Sequence, residues 1–559
     1  MEPDQVVPGE REIPPIEPEQ VGPEVESGFS EKTSMSEDAA SATEIEVAEV
    51  VARMESARPG IVRAVQAWRA LSGLGKVFRS GARRSMAPKS FPAHRIDEFW
   101  SHSWHGRKWL KAWTAFYMKN TTAATIAATL ASTILCVVFV CRWVPQFRFQ
   151  ESPPYPRNPP WCLLTGLVFY CLFFLCWRPG GHIFLDILCI DQEDDDLKVA
   201  ALLSIGAFLK RSDALVILWD PSWSQRLWCV FELATFLHSR PDKQHAKLII
   251  RPTALGPVFL SLPAGLSFVL VASSFSPGDP QVDQDFVIPT LGILGFLGFY
   301  VSVGVIRGYY RSVEELQSSL SKFNISDTKC FCCSEEDHSG LVCDRKIVYR
   351  CIMSWFGSLE NFEAQVRTEV LERLLGQLSL QVFTYRQCVA TCLPLLWSTF
   401  DSFAEEFIYR VYVQSPGVGA YAWVYKVLRK FVRGVAWTFG ALPVLFCVAT
   451  KISFLLRRRC CGMCGEILVN VFILLVTLSI FVGFLVLERW CWEPQFDFVP
   501  DGNARYDLFP GSCVFGFGML SLATVIFLCI GPCNLAGHTL QRAFSVFSVS
   551  PQAEPVAGI

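Results

Sequence analysis

The sequence predicts an α/β domain built on a parallel sheet, joined to an α-helical polytopic transmembrane region. Three observations carry this. Residues 98–106, EFWSHSWHG, read as a short strand ending in a polar turn. Two uncharged apolar runs, residues 122–141 and 161–177, stand where the rest of the domain should follow. The globular pattern resumes only at residues 182–236, with IFLD, LLSIGAFLKRS and ALVILWD in strand–helix–strand order before a second helix. A membrane hairpin leaves and returns on one side, so a single domain can close around it.

Composition agrees. Hydrophobic residues make up 51% of the 559, with 44 Phe, which is ordinary for a multi-pass membrane protein and high for a soluble one. A net charge of −2 gives no basic field for nucleic acid. The 22 cysteines are scattered through apolar runs, unlike the spacing of a secreted disulfide scaffold, and most read as reduced and buried or lipid-facing.

In chain order, residues 1–56 form a Pro- and Ser-rich acidic tail that cannot bury a core and is expected to be disordered, with no cleavable signal peptide. Residues 57–90 are a basic amphipathic segment. Over residues 57–84 they read either as a helix lying on an anionic membrane surface or as a packing helix of the domain. The first part of the α/β domain is 91–119, the hairpin is 120–179, and the second part is 180–252. A second hairpin follows at 253–306, with spans at 255–275 and 286–306. Residues 307–386 are expected to be a cytosolic helical segment carrying a cysteine cluster. The bundle at 387–535 has spans at 434–456, 467–487 and 512–533, plus a weak one at 387–403, and a cytosolic tail closes the chain at 536–559.

Arg107, Lys108, Lys111, Lys119, Arg307, Arg311 and Arg457–Arg459 flank spans and read as cytosolic. Keeping all of them on one side requires the weak span to cross. That gives eight spans with both termini and the α/β domain in the cytosol. Lys426, Arg429, Lys430 and Arg433 then fall outside, against the same rule, and six or seven spans are the alternatives. On the eight-span reading the glycosylation patterns at Asn120 and Asn324 are cytosolic and unused.

Residues 182–236, with the strand before the hairpin, resemble a Toll/interleukin-1-receptor (TIR) domain. The residues that carry this are Ser101-His102 closing the first strand, the acid closing IFLD, the buried strand ALVILWD, a turn rich in Ser and aromatics, and a helix opening Trp228-Cys229-x-x-Glu232-Leu233. FLDILCIDQ also resembles the signature strand of the fungal heterokaryon-incompatibility domain. The resemblance implies a flavodoxin-like parallel sheet. Enzymatic members of the family cleave NAD+ at the nicotinamide–ribose bond using one carboxylate. That makes Glu232 the catalytic candidate, with Ser101, His102, Trp104 and Trp228 as substrate-binding candidates and Trp223 as a further ring for stacking. Other members act as scaffolds. A Glu in the first turn of a helix is also favoured by the helix dipole alone. The sequence departs from the enzymatic pattern at CIDQEDDDL, where those members carry a longer Gly-containing loop. Asp191 and Asp194–Asp196 there either cap the next helix or bind a cation or basic partner.

Two cysteine clusters remain. Cys330, Cys332, Cys333, His338 and Cys343 offer thiols and an imidazole for a tetrahedral, structural zinc, or are idle or acylated thiols. Cys460, Cys461 and Cys464 sit beside three arginines at a membrane edge, as lipidation sites or as part of a basic loop that fixes topology.

The reading is membrane-tethered signalling or scaffolding by TIR-type association, with NAD+ as a substrate if the domain is an NAD+ glycohydrolase. Its partners are the lipid bilayer, further copies of the chain and other TIR-like domains. The alternative is a channel or transporter with a regulatory α/β domain, and the scarcity of charge within the spans counts against it.

Overall fold

The computed structural model describes residues 53–79, 89–144, 159–191, 193–240, 246–274, 288–328, 344–380, 383–409, 411, 420–459, 462–492 and 508–530. Residues 1–52 of the tail expected at 1–56, and the whole tail expected at 536–559, lie outside them.

Among the described residues, six strands form one mixed sheet: β1 (Arg63–Gln66), β2 (Phe91–Pro92), β3 (Ile96–His102), β4 (His182–Phe184), β5 (Ser212–Trp219) and β6 (Lys247–Pro252), in the order β2-β1-β4-β3-β5-β6. The four strands β4-β3-β5-β6 run parallel. β1 and β2 pair antiparallel beside β4, so the sheet is mixed where a parallel one was expected. β5 is buried at every position but Asp213, the near-continuous apolar run of a central parallel strand. Phe99 of β3 stacks on Phe184 of β4, with ring centroids 4.5 Å apart, and Phe208 closes on Phe184 at 4.4 Å.

β3 and β4 are adjacent and parallel, with Glu98 opposite Ile183 and Phe99 opposite Phe184. Parallel neighbours need a long crossover. Here it is a pair of apolar helices, α2 (Lys108–Val140) and α3 (Trp161–Cys176). The start of α2 folds back over the sheet. Lys111 lies at the carboxyl end of β3, bonded to the Ser103 carbonyl, and Lys119 reaches Glu98 at 2.6 Å. Asn120 then ties the two legs together, its Nδ2 donating to the Phe174 carbonyl at 2.8 Å. Further along, Ser132 Oγ donates to the Cys162 carbonyl at 2.9 Å.

The expected helix over residues 57–84 is instead β1 followed by the helical segment α1 (Ala67–Arg79), which breaks at Ser72–Gly75, where Gly73, Leu74 and Gly75 take positive φ. Val62, Val65 and Leu71, read as facing either lipid or the domain, are buried in the domain. The strand expected over FLDILCIDQ stops at Phe184, and Asp186–Cys189 make one helical turn, α4. The crossover from β4 continues through α5 (Asp195–Leu203) and α6 (Ile205–Lys210), and that from β5 to β6 through α7 (Leu227–His238).

Among the described residues, five helices are long and apolar enough to cross a membrane: Lys108–Val140, Leu255–Ser274, Val427–Leu455, Gly462–Cys491 and Pro510–Leu528. Leu255–Ser274 (α8) starts directly after β6, and Ile288–Ser321 (α9) is one helix of 34 residues. After α9 the chain folds back as α10 (Asp344–Phe356), α11 (Leu359–Gln365) and α12 (Leu371–Leu380). Trp355 of α10 stacks on Phe231 of α7 at 5.5 Å, and Tyr309 of α9 donates to the Leu378 carbonyl at 2.6 Å.

The weakest expected span lies within α13 (Tyr385–Ile408), which sits inside the bundle with Trp397 and Phe400 buried. Close approach requires Gly166 on α3, since a Cβ there would lie 2.5 Å from the Trp397 ring. The 16 residues of α3 span about 24 Å, short of a hydrocarbon core of roughly 30 Å. Its first N–H groups would be costly orphans at that depth. Asp401 of α13 supplies acceptors, taking the N–H of Cys162 at 2.7 Å and of Leu163 at 2.9 Å. Asp401→Ala is expected to cost about 1–3 kcal/mol. It should lower the Tm of the detergent-solubilised chain, with Asp401→Asn losing less because one acceptor remains.

Candidate functional site

In an open α/β sheet, ligands settle outside the carboxyl ends of the strands where neighbouring connections run to opposite sides. Here that place is between β3, which connects to β4 on one side, and β5, which connects to β6 on the other. The sequence candidates converge on it. Ser101 is the penultimate residue of β3, and its Oγ donates to Glu232 Oε2 at 2.6 Å. Trp223, in the turn after β5, donates its Nε1 to the same Ser101 Oγ at 3.0 Å. The relay Trp223–Ser101–Glu232 thus fixes one carboxyl oxygen from α7.

His102 follows, with its side chain only 5% exposed. It lies between Phe78 and Trp104, with centroids 5.8 and 5.0 Å away. Its Nε2 is 3.5 Å from Asp186 Oδ1, and among the described residues neither ring nitrogen has a hydrogen-bond partner. Trp104 is exposed and donates Nε1 to Asp186 Oδ2 at 3.0 Å. Ser101, His102, Trp104 and Glu232 are therefore brought to one place. Trp228 is placed edge-on to Phe231 at 5.4 Å.

Beneath lies a buried ion pair. Lys111 Nζ is 3.3 Å from Asp220 Oδ2, with the two side chains 3% and 9% exposed. Asp220 Oδ1 also accepts the Ser222 N–H at 2.9 Å, and Ser222 Oγ lies 2.7 Å from Ser103 Oγ. The backbone of Gly106 passes so close that any Cβ would collide with the Asp220 carboxylate. The sequence marked Lys111 only as a charge flanking a span. Asp186 had a signal, the acid closing IFLD, but no role was assigned to it.

Burial pushes the Glu232 carboxyl up to about 8; the Ser101 hydrogen bond opposes this and the Asp186 charge adds to it. Burial, with Glu232 second, also raises the Cys229 thiol well above its ordinary value, so this thiol is not a ready nucleophile.

Of the remaining candidates, Asp194 caps α5, its Oδ1 accepting the Leu197 N–H at 2.9 Å, and Asp191 accepts the Glu193 N–H at 3.0 Å. Cys330, Cys332, Cys333, His338 and Cys343 lie outside the described residues, as do Cys460 and Cys461, while Cys464 is exposed. Among the described residues no three His, Cys, Asp or Glu gather to hold a metal. Asn120 is fully buried. No family model, curated protein or solved structure matches the chain.

Glu232 holds its proton in the fold up to about pH 8, whereas an unperturbed glutamate releases it near 4.5. Between those limits the folded chain binds the extra proton, so this group's contribution to stability falls as pH rises. Glu232→Gln removes the titration. Its Tm relative to the parent should climb with pH across that window. Parallel Tm curves would show a carboxyl that titrates normally.

Proposed function

We propose that the chain is a multi-pass membrane protein of eight crossings, carrying a cytosolic TIR-like domain with a flavodoxin-like core, and that it signals by TIR-type association. In its enzymatic form the domain hydrolyses NAD+. The parallel strands, taken in chain order, run second-first-third-fourth across the sheet, which supports the flavodoxin-like reading. The observation that carries the site is the Glu232–Ser101 bond at the carboxyl end of β3.

NAD+ cleavage breaks the C1′–N bond, and the electron pair neutralises the nicotinamide ring, so the leaving group needs no acid. Positive charge develops on the ribose, and a nearby carboxylate stabilises it. Water adds to C1′ and gives up a proton, which the same carboxylate accepts. Nicotinamide, ADP-ribose and a proton result. A carboxyl with its pKa near 8 is a competent base once ionised, and the cationic substrate favours that ionised form. The exposed ring of Trp104 offers a stacking face.

The channel reading gains little support. Three of the charges that enter the bundle have partners: Arg307 with Glu466 at 3.0 Å, Arg433 with Glu488 at 2.7 Å, and Asp401 with backbone N–H groups. Purified full-length protein, clustered in liposomes and given NAD+, should release nicotinamide at a rate that rises with pH toward 8. Glu232→Ala should reduce release by at least about 100-fold with the fold intact. Absence of nicotinamide under clustering removes the hydrolase and leaves the scaffold.

A further inference from the structure

A cavity of about 350 Å3 opens between the carboxyl ends of β5 and β6 and the stretch of α9 around residue 306. Trp219 and Thr253 wall it on the sheet side, Tyr309, Arg311 and Ser312 on the helix side, and Arg459 reaches it from the turn after Val427–Leu455. We infer that this cavity binds a phosphate ester, the headgroup of an anionic lipid in the adjoining leaflet. The inference is independent of NAD+ chemistry.

Charge is the first support. Arg307, Arg311, Arg457 and Arg459 gather here against Glu314, Glu315 and Glu466, leaving an excess of one positive charge. Arg307 is buried and bonded to Glu466, Asn470 and the Leu456 carbonyl. Arg457 is paired with Glu314 at 3.1 Å. Arg311 donates Nη1 to Glu466 and to the Arg457 carbonyl, and so is held in place at the cavity wall. Arg459 is exposed and makes no ion pair among the described residues. The acids in the wall are Asp220, already neutralised by Lys111, and Glu315.

Chemistry and position are the second support. A fixed guanidinium, a free one and the Thr253 hydroxyl offer donors to a tetrahedral oxyanion, while the Tyr309 and Ser312 hydroxyls donate to the Leu378 and Gly308 carbonyls. The cavity lies where α9 and Val427–Leu455 end their apolar stretches, at headgroup depth. Asp220 belongs both to this wall and to the buried pair under Ser103, so occupancy here bears directly on the carboxyl end of β5.

The full chain, reconstituted in phosphatidylcholine nanodiscs with a minor fraction of phosphatidylinositol 4-phosphate, tests this by native mass spectrometry. One phosphoinositide per chain should be retained above its bulk ratio. Arg459→Ala, an exposed change that leaves the fold intact, should lower that retention by about fivefold. Arg95→Ala, on a distant surface pair, should leave it unchanged. Inorganic phosphate and soluble inositol bisphosphate, added to phosphatidylcholine-only nanodiscs, separate the sources. An Arg459-dependent rise in Tm with these alone assigns the same site to a soluble phosphate ester. Retention at the bulk ratio with no such rise, or retention indifferent to Arg459→Ala, overturns the proposal.

Discussion

The pairing of β3 with β4 is the constraint on which the rest depends. Two parallel neighbours cannot be joined by a tight turn, and this chain joins them through apolar helices. The crossover is held rigid at three levels: Lys119 to Glu98 over the sheet, Asn120 to Phe174 where the legs meet, and Asp401 on the first N–H groups of α3. Because the legs cannot splay, the ends of β3 and β4 stay in register. Asp186 then stands beside His102 although 84 positions separate them in sequence. Movement of the hairpin is thereby movement of the candidate site.

The carboxyl edge of the sheet concentrates buried charge, which is expensive unless paired. Lys111 and Asp220 meet that cost together, with Ser103 and Ser222 completing their hydrogen bonds. Glu232 meets it differently, by holding its proton. The two solutions lie side by side and have different consequences. The ion pair locks the ends of β3, α2 and β5 to one another. The neutral carboxyl stays free to change state when a cation arrives, which is the property a catalytic or sensing group needs.

How much of this was legible follows from the range of each signal. The split domain could be read because β5 and the first hairpin are uniform apolar runs whose meaning does not depend on partners. Glu232 and Ser101 could be read because they fall in a local motif. Lys111 could not, since a lysine just before an apolar run looks like a topology signal until tertiary contact buries it. Residues 57–84 carried helical periodicity, yet Val65 and Gln66 pair as strand because β4 offers an open edge, a tertiary demand that outweighs local pattern. Asp401 was invisible for the same reason, its partners lying 238 and 239 residues away.

Among the charges at Lys426–Arg433, which sit badly with the positive-inside rule, Arg433 finds its partner in the helix Gly462–Trp492. Glu466 near its start holds Arg307 and Arg311; Glu488 near its end holds Arg433 through both carboxylate oxygens. At 1.5 Å per residue the two glutamates stand about 33 Å apart, close to the thickness of a hydrocarbon core. The helix is therefore clamped at both ends by arginines from different helices, with an apolar stretch between. Arg433 lies at the edge opposite Arg307 because its charge is committed to Glu488. The same clamp fixes the height of α9 against the bundle, and with it the level at which Tyr309 and Arg311 meet the sheet.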